Sequence, residues 1–410
     1  MLTLASNSLR LPNRDARVLT DYTLLGRRVD VVETSRGCTF DCSFCSIIEM
    51  RGRNFHPYPI ERVLADIADA RTHGAQAIFL VDDNITLDVK RFEQLCKAIV
   101  DAGFEDSDYV VQAMTAPLAE HGARLAPLMK AAGFRYVFLG IENILDDDLQ
   151  FLRARAKNAH RDKGRAIGNA SLAAIRHLHA NGMFVVGGLI VGNPDDTRES
   201  IEKNLEFAKH YIDWPYIQHP TPHPRTPMTR DFIERGLIVD EDVSHYDGTT
   251  AVVRSEHVSA EEIEYLRWKA DRWMKLKHLP AALRHSPWFV LKNAPKMMRH
   301  TFAGSSLRSI FGPRKRPCGV RSLPRHPAGA AGAQRRLTPP DPETSTPGSS
   351  SQSGTMCASA LAVPRLENPE APWAPGANPD SRHRRQHLRG ARVRHGARLA
   401  DRTHLVAPRG

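Results

Sequence analysis

Residues Arg36 to Cys45 read RGCTFDCSFC and contain half of the six cysteines of this 410-residue chain. Cys38, Cys42 and Cys45 follow the spacing C-x3-C-x2-C, which places three thiols within eight residues. Thiolates bind zinc and iron–sulfur clusters, and a four-iron cluster is normally held by four cysteines. The run therefore predicts a metal centre, and three thiolates would leave one iron of such a cluster without a protein ligand.

Zinc is an alternative metal for the same three cysteines. Structural zinc sites usually have four ligands, often as two Cys-x2-Cys pairs. Cys96, Cys318 and Cys357 stand alone, so the sequence has no second pair. His56 could complete a zinc site on spacing alone. A disulfide is not expected, because the sequence shows no secretory signal and a compact cysteine cluster in the cytosol indicates metal binding or catalysis.

The formal net charge of +11 is concentrated near the C-terminus. Residues 313–410 contain 17 Lys and Arg against 6 Asp and Glu, so the first 312 residues are neutral overall. A nucleic-acid partner is therefore not expected for the chain as a whole. The tail has no Phe, Tyr or Ile, which predicts a disordered segment without a core, although translation of a shifted frame would also give this composition.

The sequence predicts a cytoplasmic protein with no transmembrane segment. Its longest clean apolar run, Met183 to Val191, is interrupted by two glycines and falls far short of the ~20 residues that span a bilayer. The first 30 residues also lack the continuous apolar core of a signal peptide.

Residues 30–220 alternate between short apolar runs and segments with helical periodicity, which predicts an α/β fold with a parallel sheet. About six such units indicate a partial (β/α)6 TIM-type barrel. The predicted strands are Val31–Thr34, Ala77–Val81, Tyr109–Met114, Tyr136–Ile141, Met183–Val191 and Trp214–His219. The predicted helices are Ile60–His73, Val89–Ala102, Ala123–Ala132, 165–180 and Thr197–Tyr211.

A helical C-terminal extension is predicted after the barrel. Ser259 to Leu276 has an N-cap serine and two glutamates in its first turn. Pro287 to Phe311 mixes apolar and basic residues, which fits a helix packed on the barrel or a surface for a membrane or partner. The predicted division is a lead-in over 1–24, a core barrel over 25–225, the extension over 226–312 and a disordered tail over 313–410.

With Phe44 directly before the last cysteine, the cysteine run resembles the signature of the radical S-adenosylmethionine (SAM) superfamily. The resemblance covers roughly residues 25–280. It implies a 4Fe–4S cluster on Cys38, Cys42 and Cys45, whose open iron is chelated by SAM. It also implies reductive cleavage of SAM to a 5′-deoxyadenosyl radical, with the protein binding and aiming the cofactor.

Other segments are similar to the cobalamin-associated branch of that superfamily, which includes anaerobic porphyrin cyclases and methylases. They are Val81–Asn84, Pro220–Pro227 and Tyr246–Thr249, although Arg225 stands where the branch usually has a glycine. The branch usually carries an N-terminal cobalamin domain with an Asp-x-His-x-x-Gly motif, which this sequence lacks. Two interpretations therefore stay open. Either the protein is an enzyme that works without cobalamin, or the sequence is a truncated form of a cobalamin-dependent enzyme.

The resemblance also implies which residues contact SAM. Glycines on the fifth predicted strand would let the flat adenine approach the backbone. Polar residues at strand ends would hold the amino-acid and ribose parts. The predicted SAM contacts are Phe44, Asp82, Asp83, Asn84, Gln112, Glu142, Gly187, Gly188 and Gly192.

Together these features predict a radical SAM enzyme that abstracts hydrogen from an unknown small molecule. A reductant such as flavodoxin or ferredoxin is the expected protein partner, and cobalamin is kept as an optional cofactor. No catalytic residue is identified. The alternatives are a non-catalytic metal-binding protein and a degenerate fragment of a cobalamin-dependent methylase or cyclase.

Overall fold

The structure is a computed structural model that describes residues 10–20, 22–162, 165–285 and 287–302. Eleven strands are found within these residues. They are β1 (Thr23–Leu24), β2 (Arg27–Val32), β3 (Ser35–Arg36), β4 (His56–Pro57), β5 (Ala77–Leu80), β6 (Asp108–Met114), β7 (Phe134–Glu142), β8 (Ala159–Asp162), β9 (Arg165–Asn169), β10 (Phe184–Ile190) and β11 (Trp214–Gln218).

Eleven α-helices occur in the same described ranges, and most of them follow a strand of the main sheet. They are α1 (Ser46–Arg51), α2 (Ile60–Thr72), α3 (Val89–Asp101), α4 (Thr115–Ala131), α5 (Asp146–Phe151), α6 (Arg155–Asn158), α7 (Ser171–Ala180), α8 (Arg198–Tyr211), α9 (Pro227–Glu234), α10 (Ala260–His285) and α11 (Pro287–Phe302).

The main sheet has the order β1-β2-β5-β6-β7-β10-β11. β1 pairs with β2 in antiparallel fashion, and the other six strands are parallel neighbours in chain order. The order does not return β11 to the first strands, so the sheet is a partial barrel. The predicted α/β fold with a partial (β/α)6 barrel is confirmed. Parallel strands in chain order bring all their carboxyl ends to one edge, where binding sites of such folds form.

Alternation along the strands separates the core from the inner face of the barrel. On β6, Tyr109 and Val111 are fully buried against the helices, whereas Val110 and Gln112 are half-buried on the other face. Phe134 on β7 extends the helix-side core by an edge-to-face contact with Phe92, with ring centroids 5.3 Å apart. The outer face therefore supplies the packed core, and the inner face is available for a site.

The first parallel strand, β2, lies at Arg27–Val32, whereas the sequence predicted it at Val31–Thr34. Asp30 in its middle obscured the apolar pattern, because this aspartate is buried and is paired with Arg14 at 2.9 Å. Thr34 lies beyond the strand and instead donates to Asp82 through its backbone N–H and its hydroxyl.

Two predicted helices need correction. α4 begins at Thr115 instead of Ala123, because Pro117 lies in the first turn, where a proline needs no N–H partner. The predicted helix over 165–180 is wrong for its first residues, which form β9 in a hairpin with β8. Asn169 ends that strand and accepts the Ser171 N–H at 2.8 Å, so α7 begins only there.

The C-terminal helices begin where the sequence predicts. Ser259 accepts the Glu262 N–H at 3.3 Å as the N-cap of α10, although the helix runs on to His285. α11 lies beside residues at the amino ends of two strands, β2 and β11. A Cβ at Gly26, before β2, would lie 3.7 Å from Phe289 Cδ2, and Val290 packs with Trp214 at the start of β11. The division into domains stays a prediction, and the tail 313–410 lies outside the described residues.

We expect Arg14 to anchor the N-terminal segment to the barrel. Its side chain is fully buried and pairs with Asp30, Asp66 and Asp69 at 2.9, 2.7 and 2.6 Å. Replacing Arg14 with Ala removes the buried cation that these three carboxylates share. Asp30 then keeps only the partly exposed Arg17, and Asp66 keeps Arg62 at 4.0 Å, so the loss should be about 3 kcal/mol. Urea unfolding should show this loss in the free energy of unfolding. The control Arg17→Ala removes a partly exposed arginine from the same Asp30 and should cost less than half as much; equal losses would contradict the anchoring role.

Candidate active site

A cavity of about 300 Å³ lies at the carboxyl ends of the parallel strands. The cysteine loop and α1 form one wall. The other walls come from β6, β7, β10 and β11, from the residues that follow β5, and from α6. The cavity brings together most of the residues predicted from the sequence. Those in its lining are Cys38, Cys42, Phe44, Cys45, Asp83, Asn84, Gln112, Glu142 and Gly188.

The cysteine loop is held at its start by Asp83, which follows β5. The Asp83 carboxylate accepts the Gly37 N–H at 2.7 Å and pairs with Arg51 at 3.3 Å. Gly37 has a φ of 93°, and a Cβ there would lie 2.5 Å from the backbone oxygen of Asn54. Only glycine therefore fits the turn that directs the chain into the cysteine run.

The middle of the loop is fixed through Ser43. Its backbone N–H donates to the Leu152 oxygen at 3.0 Å, and its hydroxyl donates to the Phe151 oxygen at 2.9 Å. The Met228 N–H donates to the Ser43 oxygen at 3.0 Å. The loop is thus attached to α5 and α9, and these hydrogen bonds fix its backbone between the two helices.

Burial raises the pKa of the Cys42 thiol to about 12 and also raises the pKa of Cys45. Cys38 is half-buried, like Cys45, and its Sγ lies 3.9 Å from the Asn84 amide nitrogen. Buried thiols of this kind become ligands when a metal cation replaces their protons. No group of three His, Cys, Asp or Glu side chains in the described ranges is arranged to hold a single metal ion. An iron–sulfur cluster takes each cysteine at a different iron, so it does not need thiols that converge on one ion.

Glu142 ends β7 in an unusual backbone conformation. Its φ is 60°, and the Asn143 N–H donates to the Ile141 oxygen at 2.7 Å, which marks a tight γ-turn. The pairing of β10 with β7 shifts register at the same point, so the strand is bulged beside the cavity. A left-handed glutamate is strained, and such strain is common at functional sites.

Lys157 is a site residue that the sequence analysis missed. It lies in the short helix α6, forms an ion pair with Glu142 and stands 5.5 Å from the ring centroid of Phe44. Burial alone would lower the pKa of its ammonium, but the charges of Glu142 and Cys42 outweigh burial and raise it. Lys157 therefore stays protonated in the cavity. Lys157 lay outside every helix and strand predicted from the sequence. The signal that could have found it is Glu142, because a carboxylate buried at a strand end requires a cation nearby.

Two glycines form a bare patch on the cavity wall. Gly188 on β10 lies opposite Gly140 on β7, and both line the cavity. A Cβ at Gly188 would lie 3.1 Å from the Phe138 ring, and one at Gly140 would lie 2.8 Å from the Glu142 carboxylate. The sequence analysis predicted Gly188 but missed Gly140, which becomes its neighbour only through strand pairing.

Three predicted SAM contacts are not in the cavity lining. Gly187 points to the helix side, where a Cβ would lie 2.6 Å from Ile212. Gly192 has a φ of 99° and packs near Ile263 of α10.

Asp82, the third, is fully buried and accepts hydrogen bonds from Thr34 and Ser35. These hydrogen bonds position the chain before the cysteine loop. Gly187 allows close packing against Ile212, and Gly192 forms a turn. In this structure all three therefore support the site from outside the cavity.

A second buried group follows β10. Asp196 accepts the Gly192 and Asn193 N–H groups at 2.8 and 2.9 Å, and Asn193 donates to Asp148 at 3.0 Å. Burial, followed by the charge of Asp196, raises the pKa of Asp148 to about 7. This group fixes the loop that leaves β10 at the same end of the barrel as the cavity.

The fold and the cavity define a partial α/β barrel with a three-cysteine loop over its strand ends. Residues 32–208 match the family model of the radical SAM superfamily. The predicted resemblance to that superfamily is confirmed over this part of the chain.

Several curated proteins are similar over longer stretches. An uncharacterized methyltransferase of Pyrococcus horikoshii is 27% identical over 70% of this chain and 61% of the relative. The hopanoid C-3 methylase of Methylococcus capsulatus is 29% identical over 48% of this chain and 35% of the relative. The anaerobic magnesium-protoporphyrin IX monomethyl ester cyclase of Cereibacter sphaeroides is 24% identical over 65% of this chain and 41% of the relative. The resemblance to the branch of methylases and porphyrin cyclases is confirmed, and the chain spans 35 to 61% of these relatives' lengths.

Within the described ranges, no helix has both the length and the apolar character that a membrane span requires.

We predict that Asp148 makes the protein less stable as the pH rises. Its pKa in the folded state lies above the value of an unfolded aspartate, so the folded protein keeps a proton that the unfolded chain loses. The stability present below about pH 4 should therefore fall toward pH 7, by up to about 1.4 kcal/mol per pH unit for one proton.

Chemical denaturation across this pH range measures the effect. Asp148→Asn should flatten the fall. Asp147→Asn should reduce it only slightly, because Asp147 is exposed and its charge contributes less to the raised pKa of Asp148 than burial and Asp196 do. An unaltered slope in the Asp148→Asn protein would count against the assignment.

Proposed function

We propose that the chain is a radical SAM enzyme that holds a 4Fe–4S cluster on Cys38, Cys42 and Cys45 and binds SAM in the adjoining cavity. The observation that carries this proposal is the position of the cysteine loop. Its three cysteines border the same cavity as the Gly140–Gly188 patch and the Glu142–Lys157 pair, at the carboxyl ends of the strands. A metal centre and a nucleotide would therefore share one space.

The cysteines supply thiolates from a loop that is already anchored on three sides. When bound, the cluster supplies the electron that cleaves SAM to methionine and a 5′-deoxyadenosyl radical. The protein excludes bulk water with the apolar side chains around the loop, among them Phe40, Ile47 and Ile48.

The polar and flat parts of the cavity suit different parts of SAM. Lys157 offers a cation to the SAM carboxylate, and Glu142 or the Asn84 amide offers oxygen to its ammonium or ribose. The Gly140–Gly188 patch, with Phe138 beside it, offers a flat surface for adenine. Gln112 on β6 completes the predicted contacts in the lining. Asp83 acts mainly through its hold on Gly37.

The substrate is proposed to be an apolar small molecule. The inner face of the barrel beside the cavity carries aromatic side chains, with Phe138 and Tyr216 in edge contact at 5.6 Å. Relatives named for hopanoid methylation and magnesium-protoporphyrin cyclisation support this class and point to methylation or ring closure. We propose cytoplasmic action with flavodoxin or ferredoxin as reductant. Cobalamin remains an optional cofactor, and no catalytic residue is assigned.

The cluster is tested by anaerobic reconstitution of the protein. We expect about four irons and four sulfides per chain and the visible absorbance of an iron–sulfur cluster. Cys38→Ala, Cys42→Ala and Cys45→Ala should each lower iron content and absorbance sharply. Cys96→Ala is the matched control, because Cys96 is a buried cysteine of α3 away from the cavity. Zinc without iron or sulfide would replace this proposal by a zinc-binding protein.

Activity is tested on the same reconstituted protein with dithionite and SAM. The proposal predicts 5′-deoxyadenosine and methionine, detected by mass spectrometry, and their loss in the three cysteine variants. An intact cluster that yields no 5′-deoxyadenosine would refute the enzymatic assignment while leaving the cluster assignment in place.

Lys157→Met is predicted to weaken SAM binding about tenfold or more while the cluster still assembles, because it removes a buried charge-assisted contact. SAM binding is measured by the change that it causes in the EPR spectrum of the reduced cluster. Lys203→Met, an exposed lysine on α8, is the matched control. Unchanged SAM affinity in the Lys157→Met protein would remove Lys157 from the proposed site.

A further inference from the structure

One face of α11 is exposed and carries both apolar and cationic side chains. Trp288 is 83% exposed and Leu291 is 58% exposed, and Lys292, Pro295 and Lys296 are exposed beside them. Their spacing of i, i+3, i+4, i+7 and i+8 places all five on one side of the helix. We call these five residues the α11 face.

The opposite side of the helix is fixed to the barrel. Val290 is 3% exposed and packs with Trp214 of β11, and Phe289 lies near Gly26 before β2. The Asn293 side chain donates to the Phe289 oxygen at 2.8 Å within the helix. Packing on the barrel therefore uses the side with Phe289 and Val290, and it leaves a tryptophan and a leucine on the outer side.

The sequence around this face carries positive charge alone. From Arg272 to Phe302 there are seven Lys and Arg and no Asp or Glu, and the next acidic residue is Asp341. Residues 1–312 are neutral as a whole, so the part outside this segment has 33 Lys and Arg against 40 Asp and Glu, and the positive charge here is a local excess. A surface of this kind is complementary to a polyanion.

We propose that the α11 face docks on an anionic phospholipid bilayer. Trp and Leu enter the boundary between headgroups and acyl chains, and the lysines reach the lipid phosphates along their alkyl stems. A nucleic acid would attract the lysines but would leave Leu291 and Pro295 without a role. The mixture of apolar and cationic groups on a single face therefore favours a lipid surface over RNA or DNA.

This docking does not depend on the proposed radical chemistry. α11 contacts Gly26 and Trp214, which stand at the amino ends of β2 and β11, whereas the cysteines lie over the carboxyl ends. The bilayer would thus meet the end of the barrel that faces away from the cysteine loop. Binding to vesicles can be measured with or without SAM.

The test is vesicle flotation of the full chain, purified anaerobically, with phosphatidylcholine vesicles and with vesicles that contain about one third phosphatidylglycerol. We expect binding to the anionic vesicles at about 0.1 M salt and a marked loss at about 1 M. The Trp288→Ala/Leu291→Ala protein should bind about tenfold more weakly. Lys292→Gln/Lys296→Gln should lose about fivefold for each lysine.

Matched controls lie outside α11. Ile233→Ala/Val243→Ala removes two exposed apolar side chains, and Lys90→Gln/Lys97→Gln removes two exposed lysines of α3, so both should bind like the parent. Brominated lipids should quench tryptophan fluorescence in the parent, and Trp288→Leu should reduce the quenching while keeping the protein bound.

Vesicle binding that both α11 variants retain in full would overturn the proposal, since other basic residues would then be responsible. So would an α11-dependent affinity for RNA without vesicle binding, or a dimer that the Trp288→Ala/Leu291→Ala protein cannot form and that does not bind vesicles.

Discussion

Two consecutive carboxylates at the end of β5 hold the segment on which the cysteine loop depends. Asp82 accepts hydrogen bonds from Thr34 and Ser35, and Asp83 accepts the Gly37 N–H. The residues that follow β5 therefore hold the segment that follows the neighbouring strand β2. The three cysteines follow within a few residues, so their position over the cavity depends on these contacts. Burial raises the pKa of Asp82, and the four hydroxyl and amide groups around it counter this by favouring the carboxylate.

The electrostatics of the cavity follow from Lys157, the one cation among the described residues of its lining, which lies among acids and thiols. Lys157 favours the thiolate form of Cys42, whereas burial and the charge of Glu142 oppose it. Glu142 reaches Lys157 only because its backbone takes the left-handed turn and because Gly140 leaves space for its carboxylate. A strained residue, a bulge and a missing side chain thus combine to place one ion pair beside the cysteine loop.

The sequence was sufficient to predict features that depend on local pattern. Five of the six parallel strands and the helices Ile60–Thr72, Val89–Asp101 and Arg198–Tyr211 lie where apolar periodicity and closing glycines indicated. The spacing of the cysteines, through family resemblance, identified one wall of the cavity. Each of these signals lies within about a dozen consecutive residues, so it can be recognised without knowing which strands pair with each other.

Features that depend on distant partners could not be predicted in this way. β2 contains a buried aspartate whose ion-pair partner, Arg14, precedes it by 16 residues. Gly140 becomes part of the site only through its register with Gly188, and Lys157 only through Glu142. Asp82 had the right type and position for a SAM contact, yet its carboxylate is used by Thr34 and Ser35.

Because the barrel is open, β11 is an edge strand of the sheet. Two features of β11 hinder the pairing of a further strand with it. Pro215, the partner of Gly187 in the register, has no N–H to offer to a further strand. The Arg267 side chain of α10 donates to the Ile217 oxygen at 2.7 Å and so occupies an acceptor along the same strand. With one donor missing and one acceptor in use, this border is a poor template for aggregation or for strand exchange between molecules.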